Sequence, residues 1–214
     1  MIDDVLPSGA IKRPAAERVA FDHLVMIRLH MDALDSVIKQ SREAPFSPQS
    51  ILRLRRGFLD VRMVIEELML LSVSAHQEAG KAVTASLRKV YQADKKMARL
   101  RALNVRFFPD AIDVVPSDEP DITVQFVQVS DEYLTEDDVN SYYNKCGDRL
   151  HAGWKQPSFE SYNDDLEYLD RFVLLTYRLL KTFEIDISGQ GYMMLGHLNL
   201  GEAGPPALFR ARID

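Results

Sequence analysis

Residues 20–75 read AFDHLVMIRLHMDALDSVIKQSREAPFSPQSILRLRRGFLDVRMVIEELMLLSVSA and carry two stripes of apolar side chains. The first stripe contains Ala20, Leu24, Ile27, Met31, Leu34 and Ile38, and the second contains Ile51, Leu54, Phe58, Val61, Ile65, Leu68, Ser72 and Ala75. Alternating steps of three and four residues place side chains on one face of an α-helix. We therefore predict a helix of about eight turns from Pro14 to Glu43 and a second long helix after Ser47.

The link between the two stripes is short and rich in helix-ending residues. Pro45-Phe46-Ser47-Pro48 ends the first helix, and Ser47 followed by Pro48 supplies an N-cap and a preset first turn for the second. Two long helices joined by so few residues favour an antiparallel hairpin.

Beyond the hairpin, the apolar spacing first continues as helix and then changes to strand. Gly80 ends or interrupts the second helix, and three further helices are predicted over residues 83–100, 135–153 and 158–183, with Thr135 as an N-cap. Alternating apolar residues predict strands over residues 122–126, 192–200 and 207–213. The last two strands form an antiparallel hairpin, to which residues 185–187 or the strand at Ile122 can add.

These elements predict an α+β fold that is predominantly α. We expect an antiparallel helical bundle of about five helices, with a small antiparallel β-hairpin or sheet at the C-terminus, in a single domain over residues 1–214. Its parts are a basic helical hairpin with a third helix (14–106), an acidic strand and loop insertion (107–134), two helices (135–183) and the β-hairpin (184–214).

The composition, 46% hydrophobic and 27% charged, excludes a disordered acidic tail, a collagen-like repeat and a disulfide-stapled miniprotein. The single cysteine, Cys146, favours a reducing compartment. The N-terminal residues MIDDVLP lack the long apolar core of a signal peptide. No uncharged apolar run approaches the roughly 20 residues of a membrane helix. We therefore expect a cytoplasmic protein that does not bind a membrane.

The net charge of −6 hides a strong difference between the two halves of the chain. Residues 1–106 contain 18 basic and 12 acidic side chains, whereas residues 107–214 contain 8 basic and 20 acidic ones. Within the first half, residues 81–106 hold eight Lys and Arg against a single acid, Asp94. Residues 110–138 then hold ten acids and no Lys or Arg.

This charge pattern raises one question about partners. A basic helix can follow a phosphate backbone, and the candidate nucleic-acid-binding residues are Arg88, Lys89, Lys95, Lys96 and Arg99. The alternative is that the acidic segment, residues 110–138, lies across the basic helix and neutralises it, within one chain or between subunits.

The segment YYNKCGDRLHAGW, residues 142–154, has the highest density of ionisable and nucleophilic side chains in the sequence. Asp148 and His151 are three residues apart on a helix, so the carboxylate can orient the imidazole as a general acid or a phosphate-facing cation. The candidate catalytic residues are therefore Asp148, Arg149 and His151. The alternative is a surface pair near a helix end, with Cys146 buried in the core as a small hydrophobic residue.

Two other spacings of polar residues in the first half of the chain are explained by chance or by a helical ion pair. Arg18 and His23 match the spacing Arg-x4-His, which can hold and cleave an RNA phosphodiester but arises easily by chance. Arg62 and Glu66 are spaced for a helical ion pair. The five histidines form no HxxxH or HExxH pair, and we expect neither a bound metal nor another cofactor.

The long hairpin, the basic third helix and the motif Tyr143-x-x-Cys146-Gly147-x-x-Leu150-His151-Ala152-Gly153 resemble the HEPN group of small helical bundles. That resemblance implies a nucleotide- or RNA-associated domain of a bacterial toxin–antitoxin or defence system. The catalytic Arg-x4-6-His of its ribonuclease members belongs on a late helix. In this sequence the matching pair, Arg18 and His23, is early, and Arg149-x-His151 has a different spacing. The resemblance therefore implies a member without the usual nuclease pair.

Three functional hypotheses follow from the sequence. The first is a non-catalytic binding or interaction module that self-associates as a homo-oligomer, such as a dimer, or binds another protein. The second is an HEPN-like RNA-associated protein or ribonuclease that uses Arg149 and His151 with the basic surface. The third is a small-molecule enzyme in which Asp148 and His151 form an acid–base pair.

Overall fold

The computed structural model describes residues 15–76, 93–104, 106–118, 123–151, 158–187, 192–199 and 204–212. Its helices are α1 (Ala15–Glu43), α2 (Pro48–Ala75), α3 (Ala93–Leu103), α4 (Glu136–Leu150) and α5 (Phe159–Lys181). Its strands are β1 (Asp110–Pro116), β2 (Val124–Gln128), β3 (Phe183–Ile187), β4 (Tyr192–His197) and β5 (Ala207–Arg212). The predicted α+β fold, mainly helical with a small antiparallel sheet, is confirmed.

The α1–α2 hairpin forms as the apolar stripes predict. The α1 stripe from Ala20 to Ile38 is buried against α2. At the start of α2, the Ser47 backbone N–H donates to Ser50 Oγ at 2.8 Å and the Ser50 N–H donates to Ser47 Oγ at 3.2 Å. These bonds occupy two backbone donors that a helix N-terminus leaves free, which confirms Ser47 as the N-cap.

The last two helices pack on the inner side of the hairpin, and both end earlier than predicted. Thr135 caps α4 as expected, but α4 stops at Leu150 and not at Gly153, because His151 is already extended. Likewise α5 stops at Lys181 and not at Phe183, because Thr182 is extended and Phe183 pairs with β4. The period of the apolar residues did not locate the end of α5, because Phe183 continues the apolar stripe of the sequence and is buried in β3.

The five strands form one antiparallel sheet in the order β2-β1-β3-β4-β5. The predicted hairpin of β4 and β5 is confirmed, and β3 joins it through Phe183 to Ile187. The strand expected at Ile122 to Phe126 lies at Val124–Gln128 and pairs with β1, a strand that the sequence analysis did not predict. At Gly196 of β4, an added Cβ would lie 2.4 Å from the Phe183 ring, so this close approach of β3 and β4 requires glycine.

Among the described residues, one hydrophobic core lies between the hairpin, α4, α5 and the sheet. Its largest fully buried side chains include Phe58, Phe107, Phe172 and Phe183. The first part of the predicted third helix, residues 83–92, lies outside the described residues, and α3 covers only its last part. None of the helices in the described ranges is long and apolar enough to cross a membrane.

Candidate functional site

The structure separates the three residues proposed as catalytic. Asp148 and His151 are both exposed, and within the described ranges no hydrogen bond or ion pair joins them. The guanidinium of Arg149 points instead to Asp165 of α5, with contacts of 2.8 and 3.0 Å. None of the three lines either main cavity of the described surface.

Asp165 is the centre of a buried ion cluster that joins α4 to α5. Its side chain is completely buried, and Lys145 Nζ lies 3.3 Å from it in addition to Arg149. A buried carboxylate requires such partners, because its desolvation costs several kcal/mol. The cluster therefore holds two helices together, and Arg149 has a structural partner.

Cys146 is buried in the same part of α4, as predicted. Burial raises the pKa of its thiol to about 12, and the nearby Arg62 lowers it only in part. A thiol with so high a pKa holds its proton at neutral pH, and only the thiolate is an effective nucleophile. Cys146 is therefore a core residue and not a candidate nucleophile.

The predicted Arg62–Glu66 pair is confirmed and also reaches α4. Arg62 Nε lies 3.0 Å from Glu66 Oε1, and Arg62 Nη2 donates to the Tyr143 hydroxyl at 2.8 Å. Desolvation raises the pKa of that hydroxyl, and Arg62 opposes the shift. This network fastens α4 against α2 on the side away from Asp165.

The basic segment of the sequence is only partly available to a ligand. Lys95 and Arg99 are exposed on α3, which also carries Lys96, whereas Arg88 and Lys89 lie outside the described residues. Further along, Arg101 lies 2.7 Å from Glu136, and Arg106 lies 2.9 Å from Glu184 and 3.7 Å from Asp110.

The acidic segment, residues 110–138, divides its charges between two helices. Glu136 and Asp137 contact Arg101 of α3. Asp131 and Glu132 contact Arg178 and Arg171 of α5, and Asp113 contacts Lys181. The question of whether the acidic segment covers the basic one therefore has a mixed answer. Arg101 and Arg106 of the basic segment contact Asp110, Glu136 and Asp137, and α5 contacts the other three acids, Asp113, Asp131 and Glu132.

The second candidate region is the outer face of the α1–α2 hairpin, the side opposite the core. Helical spacing places on this outer face Asp22, Met26, Leu29, Ala33 and Val37 of α1, and Leu52, Arg53, Arg56, Leu59 and Met63 of α2. A groove of about 590 Å³ runs between the two helices near their loop, lined by Ala33, Ser36, Val37, Gln40, Gln49, Leu52, Arg53 and Arg56.

Two histidine–carboxylate pairs bridge α1 and α2 along the edge of the outer face. His23 Nδ1 lies 2.6 Å from Glu67 Oε2, and His30 Nδ1 lies 2.9 Å from Asp60 Oδ1, both within hydrogen-bond distance. The second oxygen of Asp60 lies 3.8 Å from Arg56 Nε. All four side chains are mostly buried.

The sequence analysis did not predict these two pairs, although the spacing of their residues indicates them. His23 and His30 are seven residues apart, and so are Asp60 and Glu67, so an antiparallel hairpin brings each histidine beside one carboxylate. By contrast, Arg18 is exposed and lies on a different side of α1 from His23, because five residues turn a helix by about 140°. The Arg-x4-His match is therefore not assembled as a site.

A carboxylate-oriented imidazole can act as a general base, but it needs a nucleophile or a substrate within reach. Across the described part of the chain, neither His23 nor His30 bonds to a hydroxyl or thiol. The described ranges also contain no group of three or more His, Cys, Asp and Glu side chains that could hold a metal ion. In this structure the two pairs hold α1 and α2 in register.

Comparison with models of protein families, with curated proteins and with solved structures finds no match to this chain.

Proposed function

We propose that this protein is a non-catalytic interaction module that self-associates through the outer face of the α1–α2 hairpin. The observation that carries the proposal is a row of large apolar side chains open to solvent. Met26, Leu29, Leu52 and Leu59 are between 39% and 63% exposed. Several large apolar side chains exposed on one face of a rigid element are typical of a protein-binding site, since covering them removes apolar area from water.

The charges on the outer face favour a second copy of the chain as the partner. Of the outer-face side chains named above, Arg53 and Arg56 lie towards the α1–α2 loop, whereas Asp22 lies towards the other end. Arg53 is seven residues from Asp60 and Asp22 is eight residues from His30, about 10 to 12 Å along the helices in opposite directions. The face therefore has a positive end and a negative end at similar distances from its middle.

This charge pattern distinguishes two ways of packing two outer faces together. If the two hairpins ran in the same direction, the end with Arg53 in one copy would lie over the same end of the other copy, and like charges would repel. If one hairpin is reversed by a two-fold axis that crosses the helices near His30 and Asp60, the positive end of each copy meets the negative end of the other. An isologous dimer with reversed hairpins is therefore the favoured arrangement.

The direct test is to place a charge in the middle of the apolar row. In the Leu59→Asp dimer, each copy would bury one new carboxylate at the interface. We expect the dissociation constant of the dimer to rise at least about tenfold. Leu174→Asp on α5 is the matched control, because Leu174 is 41% exposed and Leu59 is 44% exposed. Sedimentation velocity over about a hundredfold range of concentration measures the monomer–dimer equilibrium.

Thermal unfolding by circular dichroism checks that both variants retain the fold. A wild-type protein that is monomeric at every concentration would refute the proposal. So would equal weakening by Leu59→Asp and Leu174→Asp, because the outer face would then have no special part in the association.

A further inference from the structure

The groove on the outer face of the hairpin lies to one side of the middle of that face. All of its lining residues lie between the middle, at His30 and Asp60, and the α1–α2 loop. Met26 and Leu29 lie on the other side of the middle, and both side chains are exposed. The outer face therefore has a recess in one half and protruding apolar side chains in the other.

The recess begins where the outward-facing side chains of α1 become small. Met26 has a long unbranched side chain, whereas Ala33, seven residues further along α1, has only a methyl group. Seven residues make about two turns of helix, so both side chains lie on the same face. Ala33 forms part of the groove wall, and its small size keeps the groove open at that point.

The reversed dimer brings the protruding half of one copy over the recess of the other. A two-fold axis that crosses the helices near His30 places α1 of one copy over α1 of the other, in the opposite direction. Met26 lies four residues before His30 and Ala33 lies three residues after it, which is about 6 Å and about 4.5 Å along the helix. Met26 of each copy therefore lies over Ala33 of the other.

The sizes of the side chains favour the reversed arrangement independently of the charges. If the two hairpins ran in the same direction, the two grooves would face each other and the two protruding halves would meet. Neither groove would then be filled, and the atoms that line it would lose the contacts that a filled groove provides.

The same placement brings a carboxylate to the groove. Asp22 lies eight residues before His30 and Val37 lies seven residues after it, so Asp22 of one copy lies over Val37 of the other. Val37 and Arg53 both line the groove, on α1 and α2 respectively. Arg53 Nη1 donates to the carbonyl of Gln40 at 3.1 Å. This bond occupies one of the five N–H donors of a guanidinium, so Arg53 can also donate to a carboxylate placed over the groove.

We propose that the groove binds the Met26 side chain of a second copy, which lies against Ala33, so that each copy inserts one methionine and receives one. The inference rests on the proposed dimer and specifies which side chains meet in it. Methionine suits this contact, because its unbranched thioether chain adapts to an irregular recess.

The test exchanges the sizes of the two side chains. Met26→Ala leaves the groove of the other copy empty, and Ala33→Met places a large side chain where Met26 of the other copy must lie. We expect each variant to raise the dissociation constant of the dimer at least about tenfold. In the double variant Met26→Ala/Ala33→Met, large and small side chains face each other again, and we expect most of the affinity to return.

An equimolar mixture of the two single variants should also form a dimer of nearly wild-type affinity. In that heterodimer one contact has the wild-type pair of side chains, and the other contact has the same pair exchanged. Rescue by mixing requires a contact between copies, because the two positions lie about two turns apart within one helix.

The matched control for Met26→Ala is Leu174→Ala on α5, because Leu174 is 41% exposed and Met26 is 39% exposed. We expect this control to leave the dissociation constant unchanged. Sedimentation velocity measures the dissociation constant of each variant and of the mixture. Circular dichroism checks the fold, and both alanine and methionine are good helix formers.

The proposal is overturned if neither single variant weakens the dimer, if the double variant and the mixture are no stronger than the single variants, or if Leu174→Ala weakens the dimer as much as Met26→Ala does. If Leu59→Asp dissociates the dimer in any of these cases, the dimer stands and the groove does not receive Met26. A wild-type protein that is monomeric at every concentration overturns both proposals.

Discussion

The ion cluster around Asp165 and the outer face of the hairpin make opposite use of their side chains. Around Asp165 the charged groups of α4 and α5 pair with one another, and the carboxylate is completely buried. On the outer face, the histidine–carboxylate pairs are closed within the hairpin, and Arg53 and Arg56 contact Gln40 and Asp60. The leucines of that face remain exposed. A segment rich in reactive and charged side chains is therefore a poor guide to function when those side chains pair with one another.

The largest change in stability should come from removing Asp165, the carboxylate at the centre of the ion cluster. Asp165→Ala leaves Arg149 and Lys145 without their buried counter-ion, and we expect the free energy of unfolding to fall by about 3 kcal/mol. Asp164→Ala is the matched control, because Asp164 is the exposed neighbour on the same helix. Urea denaturation measures both variants, and similar losses for the two would show that the cluster adds little stability.

A charge exchange on the outer face tests the reversed dimer more sharply than the loss of one leucine. Arg53→Glu alone and Asp22→Arg alone should each weaken the dimer about tenfold, because each places like charges together. The double variant should regain most of the lost affinity, and so should an equimolar mixture of the two single variants.

Sedimentation velocity again gives the dissociation constants. If the double variant is as weak as either single variant while Leu59→Asp still dissociates the dimer, the outer face is the interface but the hairpins are not reversed. That outcome separates the arrangement of the dimer from its existence.

The smallest expected change in the free energy of unfolding comes from the thiol of Cys146, in the core beside the ion cluster. Because burial raises the Cys146 pKa from 9.0 to about 12, the folded state favours the protonated thiol. This contribution is complete below pH 9 and is lost as the pH rises from 9 towards 12. Between pH 7 and pH 10, wild-type protein should lose about 1 kcal/mol more stability than Cys146→Ala.

Denaturant titrations at the two pH values measure this difference. Equal losses for both proteins would mean that the thiol is more accessible in the folded state than its burial indicates. Tyr142, whose pKa burial raises to about 12, contributes to the alkaline loss in both proteins and cancels in the comparison.

Helix positions were predicted well where an apolar stripe and a cap agree. Ser47 and Thr135 cap α2 and α4 as expected, since the capping side chain and the backbone it serves are neighbours in the sequence. Strand β1 was missed because its burial is irregular, with Ala111 and Ile112 buried and Val114 exposed. Its place depends on pairing with Phe183 and Val124, far along the chain.

The candidate site was predicted less well than the fold. Asp148, Arg149 and His151 are close in sequence, but Arg149 turns towards Asp165, sixteen residues away. The two histidine–carboxylate pairs join residues 30 and 44 positions apart. A spacing rule within one helix does not detect such contacts between helices.

The long helical hairpin, the helix caps and the C-terminal β-hairpin could be predicted from the order of the residues, because each depends on spacings and turn residues within one short segment. The unequal charges of the two halves follow from a count of the sequence. Which charges pair and which surfaces stay exposed could be seen only once the helices and strands were packed together. Burial and ion pairing depend on distances in space, and these arise only when α5, β1 and the hairpin pack together. Met26, Leu29, Leu52 and Leu59 are ordinary helix residues in the sequence, and packing on the opposite side of α1 and α2 leaves them exposed.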